Sequence, residues 1–515
     1  MKISPTVSYF EEPLLQFKFG QKLVYPRDGL FLYGPVDESK DTKQIRYGVI
    51  STPNGLKRFK AWAKTMNGFI DIPKPGKRSR ANNPQHVPFP GFTEAFGAEW
   101  PVEPVIALGD IDPDELSRVL HIGNRHEAVQ KAVDLFVAPI INAENRAENP
   151  PQFWFVIIPE EVYRLGRPTI VVPKGQREQG EIYITPAKAK KLQVQPTLFG
   201  DEEAQAEVYK YAAHFRRQLK ARLLKDKIVT QLVRETTLAP QEFVKANGML
   251  LRPVEDAATI AWKLGTGCYY KAGGRPWQLA DVRPGVCYVG LVYKQDDSQS
   301  DRRYSVCAAQ MFLSNGEGVV FRGALGPWWH TIKKEFHLDR NAARALISTV
   351  VAEYTGSHGE PPKELFIHAQ AAFSNEEWAG FQEGCAKETN LVGIQITDER
   401  GGIKLFRPGQ YPVMRGMALK INEHQAYLWT AGYVPRLDTY MGPETPNPIM
   451  IKVQRGDCPL DQVLKDILGL TKINFNSCLL NDRMPVTIKF ANAVGDVLTS
   501  APDTGEPKLP FKYYI

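Results

Sequence analysis

The chain has 515 residues, 43% hydrophobic, 23% charged and 10% aromatic, the composition of a soluble globular protein with material for roughly two to four domains. No apolar run is long enough to span a bilayer, which argues against a membrane role. The formal net charge of +7 permits polyanion binding without requiring it, and its distribution says more than its sum: residues 209–234 are strongly basic, while residues 376–399 hold several acids.

The N-terminus, MKISPTVSYFEEPLLQF, lacks a basic region followed by an apolar stretch, so a cytoplasmic location is the expectation. Residues 28–35 and 46–51 read as short strands and Gly55–Thr65 as a helix. Residues 72–104, rich in Pro, Gly and Asn, read as a surface excursion. Strand signals follow at Pro104–Leu108 and Phe153–Ile158, with a helical segment between them around Glu127–Phe136. The latter strand, FWFVII, is apolar throughout, the pattern of a parallel strand covered on both faces. Residues 166–203 lack periodicity and read as a long loop.

A helix is expected next, with Val208, Tyr211, Ala212, Phe215, Leu219 and Leu223 on one face and the i,i+4 pair Arg216 and Lys220 on the opposite one. Ile228–Val233 then reads as a strand with Gln231 near its end, completing a Rossmann-like domain that closes near residue 284. From Gly285 the pattern changes. Strands beginning at Val286, Ser305 and Val319 precede a helix at 341–354, a strand at Leu365–His368 and a helix at Trp378–Lys387, the order of an RNase H-like sheet. The fold expected is therefore α/β, with residues 1–284 forming an N-terminal segment and Rossmann-like domain and 285–515 an RNase H-like one. The cysteines, at 268, 287, 307, 385, 458 and 478, form no C-x-x-C pair and read as small buried residues rather than zinc ligands or disulfides.

The richest chemistry lies in His214–Leu238. Arg216, Arg217, Lys220, Arg222 and Lys225 fall on one helical pattern, and Thr230-Gln231 follows in the strand. A lone charge run is usually a solvated face. The nearby amide, and the later Tyr269-Tyr270-Lys271-Ala272-Gly273-Gly274 segment, point instead to a fixed cationic pocket for a phosphate at a nucleic-acid end. Tyr269, Tyr270 and Trp277 are available to stack on bases, although aromatics at such spacing are more often core. Gly273 and Gly274 belong to no G-x-G-x-x-G or P-loop pattern and read as packing glycines. His368, at a strand end without a nucleophile nearby, reads as a hydrogen-bonded structural residue.

Several long segments carry a resemblance: PRDGLFLYGP, FWFVIIPEEVY, QLKARLL with TQLVRETTL, YYKAGGRPW, GVCYVGLVYK, KETNLVG, MRGMALKINEHQAYLWTAGYVP, LKDILGLTKINFN and the terminal FKYYI. By these the chain resembles a short prokaryotic Argonaute containing only the middle and PIWI domains, and is most similar to those that work with a separate TIR–APAZ protein. The resemblance implies a guide 5′-phosphate pocket of Arg216, Lys220, Gln231 and Lys271, with Arg216 standing where relatives can carry His. It also implies that the carboxylate of Ile515, with Gln231, helps hold Mg2+ against the phosphate. Arg415, Lys489 and Lys472 match or approach positions that touch the nucleic-acid backbone.

Slicing relatives gather acids to hold two metal ions; here the corresponding positions read Val292, Gln370 and Asn492, which cannot supply that charge. Asp296 and Asp297 fall in the following turn, and Glu376 and Glu377 suit a helix start. The implied function is recognition of complementary single-stranded DNA through a short guide RNA, without cleavage. A TIR–APAZ partner in a heterodimer would then consume NAD, with higher oligomers forming on activation. The rival readings are a guided metal-dependent nuclease using acids such as Asp296, a short Argonaute paired with a Sir2-like or nuclease effector, and a nucleotide-binding α/β enzyme.

Overall fold

The structure is a computed structural model that describes residues 5–37, 44–74, 86–194, 200–281, 283–295, 305–312, 318–325, 328–330, 335–399, 401–438, 440, 445–502 and 508–515. Phe153–Ile158 organises the first half. All six of its residues are buried, because the strand lies inside a four-stranded parallel sheet with an apolar layer on each face. The order across that sheet is Ile106–Leu108, Tyr47–Ile50, Phe153–Ile158 and Thr230–Arg234, the doubly wound pattern of a Rossmann-like domain. Phe155 and Ile157 pack with Phe59, Trp62 and Trp100 on one side. Trp154 and Val156 pack with Phe136 and Leu219 on the other.

Some stretches depart from the sequence reading. Residues 28–35 are not a strand: Pro26–Leu32 is a helix, opened by Pro26 where a missing N–H is no loss. Gly29 lets this helix close on Phe17, whose ring a Cβ would approach to 2.1 Å. Residues 72–104 are not a surface excursion throughout, since Phe89, Phe92, Phe96 and Trp100 are buried. The 166–203 segment contains the helix Pro186–Val194 and the first turn of Gly200–Glu207, both too weakly amphipathic to show a period. The basic helix itself is Phe215–Leu223, starting later than the apolar spacing suggests because His214 is extended.

The second sheet has ten strands. Gly318–Leu325, Ser305–Phe312 and Val286–Gln295 run antiparallel; Glu364–Ala369 and then Asn390–Asp398 continue parallel to Val286–Gln295. This is the RNase H-like order. Ile449–Arg455, Gln425–Leu428, Met417–Asn422 and, from the far N-terminus, Thr6–Tyr9 extend it on one side, and Lys508–Pro510 on the other. The helix Val486–Leu498 lies on one face so closely that a Cβ at Gly290 would sit 2.0 Å from the Thr487 carbonyl.

The helix Phe215–Leu223 joins the two halves. Phe215, Leu219 and Leu223 enter the core around the first sheet, while Ala221 and the following Leu224 join the core that includes Val494. The face of this helix expected to meet solvent is therefore largely covered. Among the described residues, no helix is long and apolar enough to cross a membrane.

Candidate anion-binding site

Because the Phe215–Leu223 helix is covered on two sides, Lys220 is not a surface lysine; it is 3% exposed. Its Nζ donates to the carbonyl and hydroxyl of Thr230, both at 3.2 Å, and to the main-chain oxygen of Ile515 at 2.6 Å. Gln231 follows Thr230 at the start of its strand, not the end, and its Oε1 accepts from Lys271 Nζ at 2.5 Å. Lys271 is the last residue of the helix Ala257–Lys271, where a cation suits the dipole, and it is 1% exposed. Arg216 lies exposed at the opening.

These groups line one cavity of 440 Å³ together with Arg167, His214, Arg234 and Ile515. Arg216, Lys220, Gln231, Lys271 and Ile515, several of them distant in sequence, thus line one cavity. Burial holds Lys220 well below the usual lysine range, with Lys271 and Arg216 adding like-charge repulsion. Burial likewise pushes Lys271 down to about 7, and His214 down to about 4. Crowding by protein atoms, and then Arg217, lowers Arg216. The side-chain oxygens that serve the two lysines, on Thr230 and Gln231, are neutral. A buried ammonium group served by neutral side-chain oxygens is costly, and an anion entering the cavity would lower that cost.

The mouth holds residues the sequence reading passed over. Tyr163 is sandwiched between two guanidinium groups, Arg167 at 4.0 Å and Arg234 at 3.4 Å from its ring centroid. Glu160 accepts from Arg234 at 2.7 and 2.5 Å and fixes it there. The available signal was EEVYRLGR directly after the FWFVII strand, since loops at the C-terminal ends of parallel strands line ligand crevices.

Two candidate backbone contacts are corrected. The Arg415 guanidinium is buried, donating to Glu12 Oε2 at 2.8 Å, Thr471 Oγ1 at 2.8 Å, and the carbonyls of Leu468 and Thr430. Lys472 is also buried, held by Glu12 Oε1 at 2.9 Å and the carbonyls of Pro13 and Val24, each at 2.7 Å. Both side chains are spent on bonds within the protein, and both pin the N-terminal segment to the core. Lys489 is exposed and pairs with Asp482.

Of the three positions the resemblance matches to the acids of slicing relatives, Val292 lies in the strand Val286–Gln295, Gln370 is exposed just past Glu364–Ala369, and Asn492 is exposed on Val486–Leu498. Asp296 and Asp297 lie outside the described residues. Glu376 and Glu377 occupy the first turn of Asn375–Gly384, where buried Glu377 accepts from the Leu338 amide at 3.2 Å. His368 is buried, its Nδ1 2.9 Å from Thr487 Oγ1, and burial lowers it to about 3. Tyr269 and Trp277 are core, bonded to Asp37 and the Lys472 carbonyl, and Tyr270 packs on Phe475. Gly274 closes on the Tyr269 ring, which a Cβ would approach to 2.4 Å.

No protein-family model and no curated protein matches the chain. Solved structures do. Clostridium butyricum Argonaute, solved with a guide DNA and a 19-mer target DNA, is 14% identical and superposes with a TM-score of 0.58 over 99% of this chain. Aquifex aeolicus Argonaute is 13% identical, with a TM-score of 0.55 over 99% of the chain. The chain spans 55% and 57% of those two proteins. At such identities the likeness establishes the fold: the Argonaute middle and PIWI architecture, with an RNase H-like second domain.

Proposed function

We propose that the chain is a guide-loading Argonaute subunit that grips a 5′-phosphorylated guide, a short RNA, and recognises complementary single-stranded DNA without cutting it. The observation that carries this reading is the convergence of Lys220, Lys271, Gln231 and Arg216 on one cavity whose buried amines lack a carboxylate side chain. The phosphate enters as the missing anion. The guide then leads away past Tyr163 and Arg167, and base pairing supplies the sequence specificity that phosphate contacts cannot.

Val292, Gln370 and Asn492 support the non-cutting part, since none can carry the charge that holds a pair of metal ions. The resemblance adds a TIR–APAZ partner whose own active site consumes NAD after target recognition, with oligomerisation. The Mg2+ that the resemblance implies at the phosphate would be held by the Ile515 carboxylate and Gln231 Oε1, each of which also accepts from a lysine.

The test pairs retention with cleavage. A labelled single-stranded DNA should be held by the chain loaded with a complementary guide and not by one loaded with a scrambled guide, and should stay intact with manganese present. Guide-directed cutting by the chain alone would replace this reading with a nuclease. Co-expression with a TIR–APAZ protein should yield a complex whose NAD consumption begins only when guide and target are both added.

A further inference from the structure

Three strands of the second sheet point toward one rim. Val286–Gln295, Glu364–Ala369 and Asn390–Asp398 run parallel, so the chain leaves them on the same side, at the level of Val292 and Gln370. Loops at that end of parallel strands line ligand crevices. Arg483 ties the loop after Asp398 to this rim. Its guanidinium pairs with Asp398 and donates to the carbonyls of Glu399 at 3.2 Å and Pro448 at 3.3 Å. Shortly after Arg483 begins the helix Val486–Leu498, which carries Asn492.

The loop holds one ring out. Phe406 is 75% exposed, and no large apolar side chain among the described residues is more so. A single exposed apolar side chain is ordinary, but the loop bearing this one is pinned on both sides of it. Before it, Lys404 donates to the Thr445 carbonyl at 3.0 Å and to Asn447 Oδ1. After it, Arg407 Nε donates to the Tyr411 carbonyl at 3.3 Å, and the guanidinium lies 5.0 Å from the Tyr433 ring centroid.

Tyr433 is itself fixed. It packs on Tyr411 with 4.4 Å between ring centroids, and its hydroxyl donates to Asp438 at 3.1 Å. Main-chain bonds of 2.9 Å to Val413 and 3.1 Å from Arg415 hold its backbone. A phenyl ring carried by a pinned loop loses little further freedom on meeting a flat partner. Rings grouped with a guanidinium are the side chains that hold single strands by their bases, whatever the sequence.

We propose that Phe406, backed by the Arg407–Tyr433–Tyr411 stack, is a platform on which an unpaired base of the guide strand stacks as the strand passes the rim. It grips the strand at a point other than its 5′ phosphate. The platform presupposes the guide-loading function.

The test uses the full chain and a 5′-phosphorylated RNA guide carrying 2-aminopurine at one internal position at a time. On loading, the fluorescence of one position, or of two neighbours, should be quenched by the parent chain, and Phe406→Leu should relieve that quenching there and nowhere else. Phe406→Leu keeps an apolar side chain without a ring, at a position too exposed to govern folding. It should weaken the guide about fivefold or more, with the preference for a 5′ phosphate unchanged. Phe406→Trp, a larger ring, should bind at least as tightly as the parent. Leucine binding as well as phenylalanine, or leucine and tryptophan weakening the guide alike, would overturn the proposal. So would a Phe406→Leu chain that holds its guide normally but loses a co-purifying protein, which assigns the ring to a protein surface. A parent chain that binds no guide overturns the guide reading and the platform together. Intact phosphate preference with indifference to residue 406 overturns the platform alone.

Discussion

Two pairs of buried cations sit in this molecule, and they are provided for in different ways. Arg415 and Lys472 share the carboxylate of Glu12, which each reaches within hydrogen-bonding distance. Lys220 and Lys271 are equally buried, yet the side-chain oxygens that serve them belong to Thr230 and Gln231. A buried cation with its own carboxylate is architecture: it ties residue 12 to a core more than four hundred positions away. Lys271, bonded to a neutral amide oxygen, is where an anion from outside would add most, while Lys220 also reaches the Ile515 main-chain oxygen. Charge alone does not tell these apart, and neither does burial; the partner does.

The largest effect expected from this contrast is on stability. Glu12→Gln leaves Arg415 and Lys472 buried without their carboxylate and should cost about 3–5 kcal/mol in urea unfolding. The guide affinity of the molecules that remain folded should not change. Unfolding no easier than that of the parent would break the comparison at its architectural end.

At the other end, Lys220→Met and Lys271→Met should each weaken a 5′-phosphorylated guide by about 1.5–3 kcal/mol, tenfold or more. The empty protein should be no less stable for Lys271→Met, which removes a buried charge served by the neutral Gln231 amide, whereas Lys220→Met also gives up the bond to the Ile515 main-chain oxygen and should cost some stability.

A smaller effect follows from titration. Burial, partly offset by the Cys268 thiol, pushes Lys271 down to about 7, while a bound phosphate favours its charged form. Affinity for the phosphorylated guide should therefore fall as pH rises through about 7, and that of a hydroxyl-ended guide should fall less. The sign for the empty protein is opposite. Its folded pKa lies below the unfolded one, so the unfolded chain binds more protons and stability rises between pH 7 and 10.5.

Smallest is Lys489→Ala, at an exposed residue already paired with Asp482. If it meets a guide phosphate, the log–log salt slope should shrink by about 0.7, without any change in preference for the 5′ phosphate.

Much of this was readable from the sequence, and what was not has physical causes. FWFVII declared itself because a strand buried on both faces needs no polar position. Lys220, Gln231 and Lys271 were legible as residue types beside a phosphate, since few other tasks need two lysines and an amide together. Their burial was not, because the second domain covers the helix face that periodicity assigns to solvent. Arg415 and Lys472 misled for a related reason: their partner Glu12 is remote in sequence, so two internal cations looked like surface ones. Residues 28–35 read as a strand because the apolar GLFLY run outweighs the proline that opens the helix Pro26–Leu32. Tyr163 was missed because its role depends on two arginines brought onto its ring from different elements.

The most direct measurement is the ratio of affinities for 5′-phosphorylated and 5′-hydroxyl guides of one sequence, taken for the parent chain, Lys220→Met and Lys271→Met at a single salt concentration. The parent should prefer the phosphate at least about tenfold, and each substitution should erase most of that preference while barely moving the hydroxyl-ended guide. A parent that binds both guides equally, or variants that weaken both alike, would contradict it.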